Sequence, residues 1–392
     1  MLKYALDIGS TKLRFAAADF IAGELKILGS LTSKVEGYSG GVITDYKKLF
    51  FSILKIIKDF EKQYDSKPKK VLLNCSHPDS KFYHLRESFQ RNIPERPISN
   101  KELERFRNQV LQDKIGFEEK EILIQIEEYI IDGQRGVVNP ERMAAKSVEI
   151  LLSAITIPVN FFNNILSIFS EIGIELEAII PEAIAKASLY LNSEDKEAGV
   201  MLLDLGWSKA KMVLFKGGIL RNSIVFESGF DDIFKKFKGI YHLDNIEADR
   251  ILNEAMVTEK ESIMLQSEEG IKEISVENVL QIIDRGFRKN LYFIKKTMDS
   301  KEIFHLLARG ILITGGSILE YPNLKDIAVE ILKQPVVIKQ DKASSLSPDY
   351  AAVLGMFSYS FKEEVDFNER NNGYSFARKG LGKIYQIFDK YF

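Results

Sequence analysis

The chain has 392 residues, 45% of them hydrophobic and 28% charged, which is more than one simple core accommodates and leads us to expect two or more lobes. Lys and Arg number 54 against 56 Asp and Glu, for a net charge of −2, so the basic excess of a nucleic-acid binder is missing and no nucleic-acid partner is expected. Ten prolines and no low-complexity tract argue against long disordered regions.

The chain opens as a meander. Tyr4 to Ile8, Leu13 to Phe20 and Leu25 to Leu31 read as strands, with turns at Gly9-Ser10 and Ala22-Gly23. Leu49, Ile53, Ile56 and Ile57 recur at helical spacing, which predicts a helix over about Tyr46 to Tyr64. Lys69 to Cys75 then returns as a strand. Cys75, the one cysteine, sits in this apolar run and reads as a buried strand residue with no disulfide partner, which suits a reducing cytoplasm. Residues 78–160 change character: a charged helix after Ser99, strands at Ile122 to Ile131 and Ser147 to Ile157, and turn material at Asp132-Gly133 and Asn139-Pro140 between them. This reads as a small α+β insertion. Helices follow at Phe161 to Ile172 and Glu182 to Leu191.

At Gly199 the opening pattern repeats. Val200 to Asp204, Ala210 to Phe215 and Ile219 to Phe226 read as three strands, with Gly217-Gly218 as a hairpin turn and a helix near Phe230 to Phe237. Such a duplication implies two similar α/β lobes. Asn245 to Met298 reads as mostly helical. Strand Ile311 to Thr314, a helix near Pro322, strand Val336 to Ile338 and helix Pro348 to Ser360 complete the folded body. The N-terminus enters the first strand at once, so no signal peptide is expected. No apolar run approaches the ~20 residues of a membrane-spanning helix.

Three strand ends carry the chemistry: Asp7-Ile8-Gly9-Ser10-Thr11-Lys12, Asp204-Leu205-Gly206-Trp207-Ser208-Lys209 and Thr314-Gly315-Gly316-Ser317. Glycine permits tight turns and close backbone approach, so amide N–H groups can converge on anionic oxygens. Lys12 and Lys209 offer point cations to phosphate. Asp7 and Asp204 are candidate Mg²⁺ ligands through water, and Gly315-Gly316 lets a flat base or ribose lie against backbone. The chain has no G-x-x-x-x-G-K-[ST] and no G-x-G-x-x-G after a strand, which disfavours P-loop and Rossmann nucleotide sites. The four histidines, His77, His84, His242 and His305, show no metal-ligand spacing.

In order and spacing these segments resemble the phosphate-1, phosphate-2 and adenosine motifs of the actin-type ATPase superfamily. Within it the chain resembles the FtsA cell-division family. Val35-Glu36-Gly37-Tyr38-Ser39-Gly40-Gly41-Val42, Tyr129 to Gly133, Val138-Asn139-Pro140, Arg142-Met143 and Ala145-Lys146 follow that family's layout. The resemblance implies an α/β, duplicated actin-like ATPase fold with an inserted FtsA-type subdomain. Its first lobe takes residues 1–80, with 160–195 and 348–361, and the insertion takes 81–159. The second lobe takes 196–347, with a helical subdomain at about 230–305. A linker at 362–378 then leads to a membrane-targeting helix at 379–392.

The resemblance further implies ATP and Mg²⁺ as cofactors, with Glu247 and Arg250 offered to the adenosine. Two departures bear on turnover. Ile180 stands before Pro181 where many relatives have Glu, which leaves Glu182 as the candidate to orient water. Trp207 and Ser208 occupy a stretch that is glycine-rich in relatives. The indole either narrows the phosphate loop or turns into the domain interface. Nucleotide binding is therefore expected, and weak ATPase activity is left open.

At the C-terminus, Leu381, Ile384, Tyr385, Phe388, Tyr391 and Phe392 recur on one helical face, opposite Lys383, Gln386, Asp389 and Lys390. This is the pattern of an interfacial helix, and each buried apolar side chain contributes about 1–2 kcal/mol. With the resemblance, it implies a peripheral protein on the cytoplasmic face of the membrane at the division site. Its partners would be anionic inner-membrane lipid, its own copies in a filament, the FtsZ C-terminal tail and other divisome proteins. The basic run Arg285, Arg288, Lys289, Lys295 and Lys296, with Lys235, Lys236 and Lys238, reads as a solvated helix face or as the site for that acidic tail. A PilM-like pilus adaptor shares the fold and would need no lipid-binding tail. An actin-fold kinase would need a sugar site, and a chaperone-type ATPase a further substrate domain.

Overall fold

A computed structural model describes residues 2–21, 24–74, 76–137, 139–267, 270–339 and 348–371. Cys75, Val138, the Ala22-Gly23 turn and the membrane helix expected at 379–392 lie outside them. The chain forms two compact units. The first holds residues up to Phe20, Leu25–Glu182 and Ile219–Ile224, and the second Ile21–Glu24, Ala183–Gly218 and the chain from Val225 onward.

The first unit begins with β1 (Lys3–Ile8), β2 (Lys12–Ile21) and β3 (Glu24–Lys34), then the short β4 (Tyr38–Ser39) and β5 (Val42–Ile43), helix α1 (Tyr46–Tyr64) and β6 (Lys70–Asn74). β7 (Lys81–Gln90), α2 (Asn100–Lys114), β8 (Glu119–Ile131), β9 (Gln134–Val137) and β10 (Ser147–Pro158) follow, then α3 (Val159–Ile172) and β11 (Glu175–Ile179). One sheet runs β11-β6-β1-β2-β3. β1 pairs antiparallel with β2 and parallel with β6, and all six of its residues are buried, as befits a central strand covered on both faces. α1 starts where Asp45 accepts the Lys48 N–H, a capping bond of the usual kind. It lays Leu49, Ile53, Ile56, Ile57 and Phe60 into a core with Leu6, Phe15, Ile165 and Phe169.

The insertion is a separate four-stranded sheet, β7-β10-β8-β9, with its own core around α2. Phe106 of α2 stacks on Phe89 at 4.4 Å. Arg91 is buried, donates to the backbone oxygens of Ala145 and Arg96, and pairs with Glu102 at 2.9 Å. That hydrogen-bonded guanidinium holds the Glu102 carboxyl below its usual range.

The second unit contains α4 (Glu182–Tyr190) from Ala183 on, α5 (Ser193–Ala198), β12 (Val200–Leu205) and β13 (Ala210–Lys216). β14 (Ile219–Phe226), whose residues Ile219–Ile224 group by contacts with the first unit, then α6 (Asp231–Tyr241), α7 (Asn245–Val257), β15 (Ser262–Ser267), β16 (Gly270–Ser275) and α8 (Val276–Ser300) come next. β17 (Ile311–Gly315), α9 (Leu324–Leu332), β18 (Val336–Ile338) and α10 (Ala351–Asn371) complete it. The sheet order is β14-β13-β12-β17-β18. β12 is antiparallel to β13 and parallel to β17 and buried along its whole length, as β1 is. Read from the outer meander strand, the two sheets have the same order and the same strand directions about β1 and β12. The duplication inferred from the meanders is thus a duplication of the fold.

Three features add to the sequence reading. The stretch read as mostly helical up to Met298 holds α7 and α8 and also the β15–β16 hairpin, whose alternating apolar residues Ile263, Leu265 and Ile274 are buried. The segment read as a linker from residue 362 is helical as far as Asn371 in α10. Finally, α4 from Ala183 on lies with α10 in the second unit. A Cβ on Gly355 of α10 would stand 2.2 Å from the Ala185 carbonyl oxygen of α4, so only glycine permits this approach of the two helices. The Ser358 hydroxyl donates to the Ser188 carbonyl beside it.

Candidate functional site

In the first unit the β1–β2 connection is closed by the Gly9 N–H donating to the Lys12 carbonyl at 3.0 Å. Asp7, the strand-end carboxylate, is 3% exposed. Across the β1–β2 ladder its direct partner is Arg14, whose Nη1 donates to Oδ2 at 2.9 Å. The Asn74 amide of β6 donates to Oδ1 at 2.7 Å.

The second unit repeats this arrangement. The Gly206 N–H donates to the Lys209 carbonyl at 3.1 Å, and Asp204 faces Lys211 across the β12–β13 ladder. Asp204 is fully buried. Lys186 Nζ, reaching from α4, donates to Oδ1 at 2.7 Å, and Lys211 Nζ lies 3.7 Å from Oδ2. Each strand-end aspartate therefore has a cation seven residues on, directly opposite it, and Asp204 has a second from a helix. Opposite charges facing one another across a ladder attract, and in a buried place a carboxylate needs such partners.

The Trp207 ring lies on Phe230, which precedes α6, and on Phe234 of α6, at 5.7 and 5.0 Å between centroids. The loop is further tied to the start of α6 by Phe230 N–H to the Gly206 carbonyl and Asp231 N–H to the Trp207 carbonyl. Lys209 pairs with Glu227 at 3.0 Å. Ser208 occupies the turn position that Thr11 holds in the first unit.

The third segment adjoins the second. Asp204 is in register with Thr314 and Leu205 with Gly315, and a Cβ at Gly315 would stand 2.4 Å from the Leu205 carbonyl oxygen. Beyond Gly316, Ser317 opens a short 3₁₀ turn to Glu320, and α7 packs against that turn. α7 carries Glu247 and Arg250. The Glu247 N–H caps onto Asp244, while the Arg250 guanidinium donates to Glu254 and to the Met264 carbonyl. Glu182 begins α4, one turn before Lys186, which puts the two side chains on one helix face.

Two residues of the basic run on α8 are held in ion pairs. Arg288 bonds Asp284 at 2.7 Å and Glu330 at 2.8 Å, and Lys295 bonds Asp299. Lys235 pairs with Asp231. Arg285 lines an open cleft of about 940 Å³ together with Glu261, Glu277 and Asp284, an acidic wall that weakens its attraction for an acidic peptide.

Asp7 and Asp204 do not fit the Mg²⁺ role read for them. Mg²⁺ is held by carboxylate charge, and here that charge is engaged by Arg14 on one side and by Lys186 and Lys211 on the other. No cluster of three or more His, Cys, Asp or Glu suited to a metal occurs among the described residues. Sequence reasoning missed Lys186, Arg14 and Lys211. The last two were visible as cations seven residues after each Asp in a hairpin; Lys186, in a run of small residues, carried no such signal.

Two repeated sheets about buried central strands, with an α+β insertion, define an actin-like fold. A family model described as "SHS2 domain inserted in FTSA" matches residues 83–156. The chain is similar to the cell division protein FtsA of Buchnera aphidicola subsp. Baizongia pistaciae, at 22% identity over 99% of this chain and 97% of that protein. It is likewise similar to FtsA of Bacillus subtilis, at 21% identity over 98% and 88%. Among solved structures, the PilM-PilN type IV pilus biogenesis complex matches with a TM-score of 0.64 at 11% identity, over 91% of this chain and 98% of that one. MreB5 of Spiroplasma citri bound to ADP matches with a TM-score of 0.55 at 15% identity, over 95% and 99%. No helix among the described residues is long and apolar enough to cross a membrane.

Proposed function

We propose that the protein is an FtsA-type cell-division protein that binds ATP, self-associates into filaments and anchors FtsZ filaments to the inner face of the cytoplasmic membrane. The observation that carries this reading is the similarity to FtsA over almost the whole chain, joined to the FtsA-type insertion at 83–156. The MreB5 structure of the same fold holds ADP, which supports a nucleotide here.

In this proposal the turns that Gly9 and Gly206 close present the backbone amides of Ser10 to Lys12 and Trp207 to Lys209 to phosphate oxygens, with Ser10, Thr11 and Ser208 adding hydroxyls. Gly315, Gly316 and Ser317 receive the nucleoside, and Glu247 and Arg250 lie toward the adenosine from α7. Glu182 is the candidate to orient water in any hydrolysis. The membrane face is Leu381, Ile384, Tyr385, Phe388, Tyr391 and Phe392. Many weakly binding tails on one filament add up to an avidity that one tail lacks.

The test is co-sedimentation of FtsZ filaments with anionic liposomes. The full chain should carry FtsZ to the lipid, and a chain truncated after Arg378 should not. Equal recruitment by both, or none by either, refutes the proposal.

A further inference from the structure

The charge at the second strand-end loop carries an inference that rests on reading this loop as a phosphate site. Asp204 is the carboxylate whose charge would hold a divalent ion at this loop. Here Asp204 is fully buried, and its two oxygens already face two ammonium groups, Lys186 at 2.7 Å and Lys211 at 3.7 Å. Lys186 is not a chance surface partner. It is 7% exposed and comes from α4, which the Gly355 approach of α10 holds in place. Removing a buried lysine's carboxylate partner is costly, so Asp204 has a standing task that competes with any metal. The first unit repeats the chemistry with a guanidinium, Arg14 to Asp7 at 2.9 Å.

We propose that this chain binds its phosphate-bearing ligand without Mg²⁺, with the ammonium groups of Lys186 and Lys211 supplying, beside the Gly206 turn, the positive charge that a divalent ion would bring. Both lysines flank the turn whose amides would meet the phosphate: Lys211 directly follows the loop on β13, and Lys186 meets the carboxylate at its start. An ammonium is a compact point cation well suited to phosphate. Two of them sharing one carboxylate approximate the charge of a divalent ion held by an aspartate. Such a site binds nucleotide and lacks the metal that would polarise the phosphoryl group for transfer, so binding is separated from turnover.

The experiment is equilibrium binding of ATP to the full chain, once with Mg²⁺ in excess and once with EDTA in excess, read by dialysis and by Trp207 emission. We expect affinities equal within about threefold, well under the factor of ten that corresponds to 1.4 kcal/mol. Lys186→Gln should weaken binding in EDTA by about tenfold or more, the scale of a lost charge contact to an anion, and part of that loss should return with Mg²⁺ once Asp204 is released. Manganese resonance of the wild-type chain with ATP provides a readout that needs no variant, and we expect only the free nucleotide complex. Binding at least about tenfold tighter with Mg²⁺, or protein-bound manganese that Asp204→Asn abolishes, overturns the proposal and leaves the nucleotide reading standing. Absence of ATP binding under both conditions refutes the nucleotide reading, and this proposal with it.

Discussion

The two repeats offer the same seven-residue device in two settings. In both, a buried strand ends in Asp, a glycine N–H closes the turn onto a lysine carbonyl, and a cation on the next strand faces the Asp. The first setting is a plain hairpin: Thr11 and Lys12 are exposed, and Asp7 is shared between one guanidinium and one amide. The second is built into its surroundings. Where the first has Ser10 the second has Trp207, fastened to the start of α6 by two ring contacts and one backbone bond, and Asp204 is gripped by a helix as well as a strand. The difference shows how one turn geometry can be left as a plain hairpin in one unit and tied to a neighbouring helix in the other.

The largest test of that contrast is charge removal. Lys186→Met leaves Asp204 buried with Lys211 at longer range, and removing one partner of a buried pair costs about 3–5 kcal/mol. Arg14→Met, whose Asp7 keeps the Asn74 amide, should cost about 1–2 kcal/mol, the range of one charged hydrogen bond. Urea denaturation compares them. Equal losses would show that the helix-borne lysine matters no more to its turn than Arg14 does to the first.

A steric test comes next. A Cβ on Gly229 would stand 2.3 Å from the Trp207 carbonyl oxygen and 2.4 Å from the Ser208 carbonyl carbon. Both are backbone atoms, so the loop or α6 must move. Gly229→Ala should cost about 1–3 kcal/mol, the usual range for overpacking. A Cβ on Gly9 meets only Lys12 O at 3.1 Å and the movable Arg14 guanidinium at 3.3 Å, so Gly9→Ala should cost less than half as much. Thermal unfolding of the two variants decides, and a larger loss at Gly9 would reverse the assignment of the tight and the open turn.

How much of this was legible depended on whether a feature repeats along the chain or arises only in three dimensions. α1 was readable to its ends, Tyr46–Tyr64, because its apolar residues recur at helical spacing. The paired sheets were readable because Gly9 and Gly206 punctuate two matching meanders. The β15–β16 hairpin was not: its short strands lie between helices, and helical periodicity on either side outweighed them. The opposed cations Arg14 and Lys211 went unnoticed because the motif was read only as far as Lys12 and Lys209, although hairpin register alone puts position seven opposite the Asp. Lys186 lay beyond such reasoning. Its meeting with Asp204 depends on how α10 seats α4, and no local pattern encodes that.

The smallest expected effect bears on the one residue by which the repeats differ most. Trp207 gives the second turn an aromatic contact surface, and each aromatic pair contributes about 0.5–1.5 kcal/mol beyond the area it buries. Trp207→Leu retains some apolar area and loses both ring pairs, so the second unit should lose about 1–2 kcal/mol. At the equivalent position, Ser10→Ala removes a hydroxyl from a half-exposed turn and should stay within about 0.5 kcal/mol, as surface substitutions usually do. If the indole only fills space, Trp207→Phe should be no better than leucine. If ring contact is what fastens the loop to α6, phenylalanine should recover most of the loss, and calorimetric melting of the three variants separates the two accounts.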